Sequence, residues 1–262
     1  MTTRRDVIAA ATMGAAAFAI TVSQSKAQPI QKTFVLVHGA WGGGWVWRRV
    51  ADLLEKRGHK VFAPTLTGQG ERSHLLDRRI NLTVQITDIV NLIKWERLDG
   101  VVLVGWSYGG MVIAGVAEEV ERAISSIVFL DALVPQNGQS ALDVVGPGDF
   151  SNMVHAAEQR GDIALPPPPA ASVGLTGDDR AWMDAMMTPH PIATLFEKAR
   201  VTGAYERIAR KAYIWAERNA ELERFYQKYR SMPGWRTYAV PSGHAVPVEL
   251  PERLTEILLE AA

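Results

Sequence analysis

Residues 101–117 read VVLVGWSYGGMVIAGVA, in which an apolar run, a short turn rich in glycine and a second apolar run follow one another. The first run, at 101–104, contains no polar side chain, which is typical of a strand buried on both faces of a parallel sheet. The second run is compatible with a helix. A strand, a Gly-x-Ser-x-Gly turn and a helix in this order lift the serine out of the edge of a sheet, so Ser107 is the candidate nucleophile.

The alternation of short β-like runs with longer helix-period segments extends over most of the chain. Strands are predicted at 33–38, 60–63, 101–106, 126–131, 212–216 and 237–240. A last helix is predicted from about Glu249, with its large apolar residues along one stripe. This order predicts an α/β fold, in which a mostly parallel sheet is covered by helices on both faces.

Charge and cysteine content restrict the possible partners and chemistry. The chain has 262 residues, with 28 Lys plus Arg against 28 Asp plus Glu, so its formal net charge is zero. No basic surplus is present to hold nucleic acid or an anionic membrane, and a small-molecule substrate is expected instead. The absence of cysteine excludes disulfides, thiolate metal sites and a cysteine nucleophile.

The first 27 residues have the character of an export signal. Arg4 and Arg5 precede an uncharged, alanine-rich stretch at 7–22, and Ser25-Lys-Ala27 fits a small-x-small cleavage site. The paired arginines resemble a twin-arginine signal. We expect cleavage near Ala27 and a periplasmic or secreted mature protein without stable membrane association. A frayed cytoplasmic terminus and an uncleaved anchor are the alternatives.

Residues 135–202 break the alternation of strands and helices. They contain four consecutive prolines at 166–169 and a histidine, His190, between two prolines. We predict that they form a cap inserted into a core made of 28–134 and 203–262. Its large apolar side chains predict an apolar pocket for the acyl or alcohol group, and the candidates are Trp182, Met183, Met186, Met187 and Phe196.

A serine nucleophile needs a general base, and on this architecture the order along the chain is serine, acid, histidine. His244 lies between the last predicted strand and the last helix, which brings it back over the serine turn. His38 precedes the serine and is expected to brace its loop, whereas His190 in the cap is expected to be structural or to face the substrate. The developing oxyanion needs backbone N–H donors, and Tyr108 and Ala40 are the candidates.

Five segments of the sequence resemble, in the same order, the α/β-hydrolase superfamily, and most closely its branch of plant methylesterases, hydroxynitrile lyases and bacterial esterase relatives. They are VLVHGAWGGGWVW from Val35, GHKVFAPTLTGQGERSH from Gly58, VVLVGWSYGGMVIAG from Val101, VFLDALVPQNGQS from Val128 and SGHAVPVELP from Ser242. The resemblance implies an α/β-hydrolase fold with a small cap.

Two positions depart from the lyases of this branch. The resemblance would place threonine after the histidine of the first loop and lysine after the catalytic histidine, but Gly39 and Ala245 stand there. Without a lysine to receive a cyanide leaving group, the sequence favours hydrolysis over the lyase reaction.

The triad acid also departs from the resemblance. Plant relatives carry an aspartate a few residues after a strand that ends in Tyr-x-Trp, and Asn219 occupies that place here. An amide cannot stabilise the imidazolium that forms when histidine takes the proton. Asp131, which ends an apolar strand run, is the preferred acid because a carboxylate there is costly unless paired. Glu217 is the alternative, and Asn219 alone or another acid is the remaining possibility.

These features predict a serine esterase that cleaves small, largely apolar esters through an acyl-enzyme, without a metal or organic cofactor. The sequence leaves other reactions of the same residues open, namely hydrolysis of a lactone, an amide or a C–C bond. A non-catalytic ligand-binding protein on the same fold is a further alternative, for which the asparagine at 219 is the best argument.

Overall fold

The computed structural model describes residues 31–262, so the predicted export signal at 1–27 lies outside the described residues. The strands of this part are β1 (Thr33–Val37), β2 (Lys60–Phe62), β3 (Val101–Trp106), β4 (Ile124–Leu130), β5 (Ala164–Leu165), β6 (His190–Pro191), β7 (Arg210–Ala216) and β8 (Trp235–Val240). Six of them form one sheet in the order β2-β1-β3-β4-β7-β8, and all of its neighbouring strands are parallel. The predicted parallel sheet is confirmed.

The helices of the same part are α1 (Arg48–Lys56), α2 (Leu82–Trp95), α3 (Gly109–Val120), α4 (Ala141–Val145), α5 (Asp149–Gln159), α6 (Gly177–Met186), α7 (Ala193–Phe196), α8 (Ala204–Arg207), α9 (Glu223–Arg230), α10 (Val246–Glu249) and α11 (Pro251–Ala261). Short 3₁₀ turns lie at Gly44–Trp47, Gly70–Leu75, Glu121–Ala123, Ala170–Val173 and Ala220–Leu222. Within residues 31–262, no helix has the length and apolar character needed to cross a bilayer.

The central strands β1 and β3 are buried on both faces of the sheet, as their apolar sequences require. Successive side chains of a strand point to opposite faces, and β1 shows the result. Phe34 and Leu36 pack with residues of α1 and α11, whereas Val35 and Val37 pack on the other face with residues of α2 and α3. This double cover leaves the carboxyl ends of the strands as the edge at which polar side chains can meet.

The predicted elements match the observed ones with small shifts at their ends. β4, β7 and β8 each begin two residues earlier than predicted, and the last helix begins at Pro251 after the separate turn α10. The N-terminus of α2 is fixed by Asn81, whose side chain accepts a hydrogen bond of 3.0 Å from the backbone N–H of Val84.

The predicted cap residues 135–202, called the cap segment below, contain α4 to α7 and an antiparallel ribbon of β5 and β6. The segment is joined to the core at several points. The indole N–H of Trp41 donates to the carbonyl of Leu165, and Arg49 of α1 pairs with Asp179 of α6. The ends of the cap at 135 and 202 stay a prediction.

Candidate active site

Ser107 lies in the turn between β3 and α3 with a φ of +57°, in the left-handed region that side chains rarely adopt. The glycines on either side of it are required by close backbone contacts. A Cβ at Gly105 would stand 2.6 Å from the carbonyl oxygen of Gly109, and a Cβ at Gly109 would stand 2.7 Å from the carbonyl oxygen of His38. The glycine spacing in the sequence therefore corresponds to a turn that no larger residue could form without rearrangement.

His244 lies between β8 and α10 and reaches back to the serine. Its Nε2 is 2.8 Å from the Oγ of Ser107. The indole N–H of Trp106 donates to the carbonyl oxygen of His244 at 2.8 Å, and the two rings pack with their centroids 5.3 Å apart. The residue before the serine thus holds the histidine in place from both its backbone and its ring.

Asp131 follows β4 directly and is fully buried, with a φ of +40°. Its Oδ2 is 2.7 Å from the Nδ1 of His244, and its Oδ1 accepts a hydrogen bond of 3.2 Å from the backbone N–H of Ala216. Of the two carboxylates considered from the sequence, Asp131 is the one that contacts the histidine. Glu217 is exposed, and its side chain makes no hydrogen bond within the described residues.

Asn219, at the position where the resemblance implied an aspartate, contacts the same pair of side chains. Its Nδ2 donates to the Oδ2 of Asp131 at 2.7 Å and lies 3.2 Å from the Nδ1 of His244. From the sequence, Asn219 is a departure from the expected aspartate, with Asn219 alone as a remaining possibility, and its contact with Asp131 was not predicted. The sequence feature that could have indicated the contact is a carboxylate directly after β4 together with an amide shortly after β7. Because these two strands are neighbours in the sheet, residues that follow them can meet.

The two predicted oxyanion donors lie in loops on either side of the serine. Within residues 31–262, the backbone N–H groups of Ala40 and Tyr108 donate to no protein acceptor. The first loop approaches the nucleophile closely, because a Cβ at Gly39 would stand 2.8 Å from the Cβ of Ser107. Both donors are therefore available to an oxygen bound beside Ser107.

Two buried histidines lie behind this loop. His38 has its Nδ1 2.7 Å from the carbonyl oxygen of Gly39 and accepts from the N–H of Leu66 at Nε2, which places the ring proton on Nδ1. Burial lowers the pKa of His38 to about 4, so it is neutral at pH 7. The backbone contact agrees with the expectation that His38 braces the loop.

His190 of the cap segment is also buried, and it packs against Tyr108 and Trp41 with ring centroids 4.9 and 5.9 Å apart. Its Nε2 is 2.7 Å from the hydroxyl of Thr194. Burial, and then the nearby His38, lower the pKa of His190 to about 3. A neutral histidine of the cap segment thus contacts one residue from each of the two loops that carry the predicted oxyanion donors.

Beside Ser107 lies a narrow cavity of about 40 Å³. Its walls are mainly aromatic and aliphatic, and it is lined by Ala40, Trp41, Gly42, Trp45, Trp106, Ser107, Pro168, Val173, Met183, Met187 and His244. The tryptophans of the core were not predicted to form these walls. Trp106 had a recognisable signal, because it stands next to the serine in the sequence.

The predicted cap side chains line the pocket only in part. Met183 and Met187 face it, but the assignment of the other three was wrong. Trp182 packs edge to face on Trp45 with centroids 5.0 Å apart, Met186 is 38% exposed, and Phe196 packs against His155. Met183 of α6 and Met187, which directly follows that helix, reach the cavity, whereas Trp182 and Met186 point elsewhere.

No group of three or more His, Cys, Asp or Glu side chains in residues 31–262 is arranged to hold a metal ion. The polar groups at the site are those of a hydroxyl, an imidazole, a carboxylate and free backbone N–H groups. Such a set can attack a carbonyl carbon, move one proton and hold the negative charge that develops on oxygen.

Comparison with known proteins identifies the family. A model of the alpha/beta hydrolase family matches residues 34–257, and the chain belongs to this family. The carbendazim hydrolyzing esterase of Nocardioides sp. (strain SG-4G) is 39% identical over 86% of this chain and 97% of that protein. The putative chloroplastic methylesterase 11 of Arabidopsis thaliana is 29% identical over 87% of this chain and 63% of that protein.

Among solved structures, an extracellular alpha/beta-hydrolase from a Paenibacillus species has a TM-score of 0.76 to this chain at 24% identity. The match covers 88% of this chain and 99% of that one. The predicted α/β-hydrolase fold and the predicted branch of the superfamily are confirmed.

Proposed function

We propose that the chain is a serine esterase in which Ser107, His244 and Asp131 act as the catalytic triad. The observation that supports this most strongly is the unbroken line of contacts from Ser107 Oγ to His244 Nε2 at 2.8 Å and from His244 Nδ1 to Asp131 Oδ2 at 2.7 Å. In this arrangement the histidine accepts the serine proton, and the buried carboxylate orients the imidazole and stabilises its cation.

The reaction proceeds in two halves. Ser107 Oγ attacks the ester carbonyl carbon as His244 takes its proton, and the N–H groups of Ala40 and Tyr108 hold the oxyanion of the tetrahedral intermediate. Collapse of the intermediate breaks the bond to the alkoxide, which leaves with the proton from His244 as an alcohol. Water then attacks the acyl-enzyme by the same route and releases the carboxylic acid.

Ester hydrolysis agrees with the relatives, which include a carbendazim hydrolyzing esterase and a putative methylesterase. The prediction of a carboxylic ester hydrolase is therefore confirmed. The narrow apolar cavity beside Ser107 favours small apolar substrates, and the relative that is 39% identical makes carbendazim a substrate to assay first. Residues 135–202 serve as the cap that closes this cavity, through Met183 and Met187.

The remaining expectations from the sequence belong to the same proposal. The signal at 1–27 directs export by the twin-arginine route and is cleaved near Ala27. The mature protein then acts on small molecules and holds neither nucleic acid nor a membrane stably. Replacing Arg4 and Arg5 together by lysine should leave the precursor in the cytoplasm, and continued export of that variant would contradict this route.

The proposal is tested with p-nitrophenyl esters of increasing acyl length, using the chain that begins at Gln28. The same chain with Ser107→Ala is the control, and circular dichroism verifies that both fold. We expect turnover that is greatest for short acyl groups and absent in Ser107→Ala. Equal turnover in both chains would exclude Ser107 as the nucleophile.

A further inference from the structure

The backbone of Asn219 is held in a fixed place at the end of β7. Its N–H donates to the carbonyl oxygen of Ala216 at 2.8 Å, and its own carbonyl oxygen accepts from the indole N–H of Trp215 at 2.9 Å. The side-chain amide, with its Nδ2 2.7 Å from Asp131 Oδ2, therefore approaches the carboxylate from a rigid turn and not from a free loop.

The carboxylate of Asp131 depends on few donors. It is fully buried, and burial of a carboxylate is costly unless hydrogen bonds replace its water. Oδ1 accepts from the backbone of Ala216, while Oδ2 has both His244 Nδ1 and Asn219 Nδ2 at 2.7 Å. Within the described part of the chain, Asn219 is the one side-chain donor to this carboxylate besides the histidine.

The chemistry of the three groups determines which way the amide donates. A histidine that takes the serine proton at Nε2 must already carry a proton at Nδ1, which it donates to Asp131. The amide nitrogen, 3.2 Å from Nδ1, then has no acceptor there and gives its hydrogen to Oδ2. Two donors thus converge on one oxygen, and they restrict rotation of the carboxylate about its Cβ–Cγ bond.

We propose that Asn219 is a positioning residue for the triad acid, and that Asp131 and Asn219 work as one carboxylate–amide pair. This inference rests on the proposed role of Asp131. The amide is the neutral complement of the carboxylate, since an aspartate at 219 would place a second carboxylate against the first and the two could not both stay ionised. The asparagine in place of the expected aspartate therefore follows from the position of the acid directly after β4.

The first test is Asn219→Ala. Loss of a hydrogen bond to a buried charge should lower kcat by about 10-fold to 100-fold while KM changes less than twofold. Asn81→Ala, which removes the cap of α2 far from the site, is the matched control for a loss of stability. It should leave kcat within twofold of the parent chain.

The second test exchanges the members of the pair. Asp131→Asn/Asn219→Asp keeps one carboxylate and one amide beside His244. Its kcat should be at least tenfold higher than the kcat of Asp131→Asn alone. A residue that only supports the fold would give no such recovery. A double variant no more active than Asp131→Asn would contradict the pair.

A third measurement does not depend on turnover. The proton on His244 Nδ1 should give a low-field signal in the proton NMR spectrum of the parent and of Asn81→Ala, and the signal should shift or broaden in Asn219→Ala. An unchanged signal together with an unchanged kcat would overturn the role of Asn219. If the parent hydrolyses no ester and Ser107 is not labelled by a fluorophosphonate, the proposed function fails, and the NMR signal still decides whether Asn219 positions the carboxylate.

Discussion

The carboxyl edge of the sheet and the cap segment meet at one cavity but contribute to it in different ways. The sheet edge supplies Ser107, Asp131 and His244 from turns that follow three parallel strands. The cap segment supplies apolar walls to the cavity, namely Pro168, Val173, Met183 and Met187. Under the proposed function, turns of the core hold the reacting atoms, and side chains of the cap segment limit which groups fit beside them.

Two turns of the sheet edge hold their backbone in the left-handed region. Ser107 and Asp131 both have positive φ, which costs on the order of 1 to 3 kcal/mol each and persists only where neighbouring contacts enforce it. Here the N–H of Ser107 donates to Leu130 and the N–H of Asp131 to Ile214, at 3.1 and 2.6 Å. The cap segment is joined to the core by hydrogen bonds such as that from the N–H of Thr188 to the carbonyl oxygen of Trp41, and by the partly exposed ion pair to α1, which contributes at most about 1 kcal/mol.

The largest effect expected from this comparison is on the sheet edge. His244→Ala should lower kcat by about 10⁵-fold to 10⁶-fold, because it removes the proposed general base of a triad whose members act as one unit. Labelling of Ser107 by a fluorophosphonate probe reports the loss directly. His74→Ala, which changes an exposed histidine, is the control and should be labelled as the parent is. Unchanged labelling of His244→Ala would exclude His244 as the base.

The second-largest effect is expected from replacing Asp131, the proposed triad acid. Asp131→Asn should lower kcat by about 10³-fold to 10⁴-fold, since the amide can neither hold the required tautomer nor stabilise the imidazolium. Glu217→Gln, which changes an exposed carboxylate two residues from Asn219, should have less than a twofold effect. The kcat values of the two variants and of the parent chain are compared by steady-state kinetics on the p-nitrophenyl ester that the parent hydrolyses fastest. A loss below tenfold in Asp131→Asn would return the assignment to Glu217.

Two buried histidines, one from each region, make stability depend on pH. Burial lowers the pKa of His38 to about 4 and of His190 to about 3, so on acidification the unfolded chain binds protons that the folded chain does not. The contribution of the two neutral histidines to the free energy of unfolding is complete above the unfolded pKa of about 6.5. It is lost as the pH falls towards 4. At pH 5 the free energy of unfolding should be lower than at pH 7 by about 2 kcal/mol for each histidine.

Urea unfolding at pH 7 and pH 5 measures this loss. His190→Phe keeps an aromatic ring against Trp41 and Tyr108 but cannot take up a proton, so it should reduce the difference between the two pH values by about 2 kcal/mol. The same loss in His190→Phe as in the parent would show that His190 does not contribute to the pH dependence.

The smallest effect expected is on the cap. Met187→Ala enlarges the cavity beside Ser107 and should shift the preference among acyl lengths by about tenfold in kcat/KM, which is the usual size of a change in an apolar pocket. The rate on the shortest ester should change little, because the reacting groups belong to the core. Met153→Ala, at a largely exposed position, is the control. An equal loss on all esters would show that the cap also positions the triad.

The difference between the sheet edge and the cap segment also explains how much of the site could be predicted from the sequence. The serine turn leaves a signal because close contacts demand glycine at 105 and 109, and the histidine is marked by its place between the last strand and the last helix. Asp131 is marked by a carboxylate at the end of an apolar run. The structure brings these three residues together, and the parallel sheet was predicted because its buried strands contain few polar residues.

The remaining features depend on contacts between distant segments. Asn219 meets Asp131 across 88 residues of sequence, because β4 and β7 are neighbours in the sheet. The cap helices are too short for a hydrophobic period to show which side faces inward, so the assignments of Trp182, Met186 and Phe196 to the pocket were wrong.

The central claim is that Ser107 forms an acyl-enzyme with its hydroxyl activated by His244 and Asp131. The most direct measurement is the mass of the intact chain during rapid-quench hydrolysis of p-nitrophenyl acetate, followed by mapping of the modified peptide. An acetyl group on Ser107 that forms before steady state, and that is absent from Ser107→Ala, is the predicted result. Rapid p-nitrophenol release with no acetyl group on Ser107 would contradict the account.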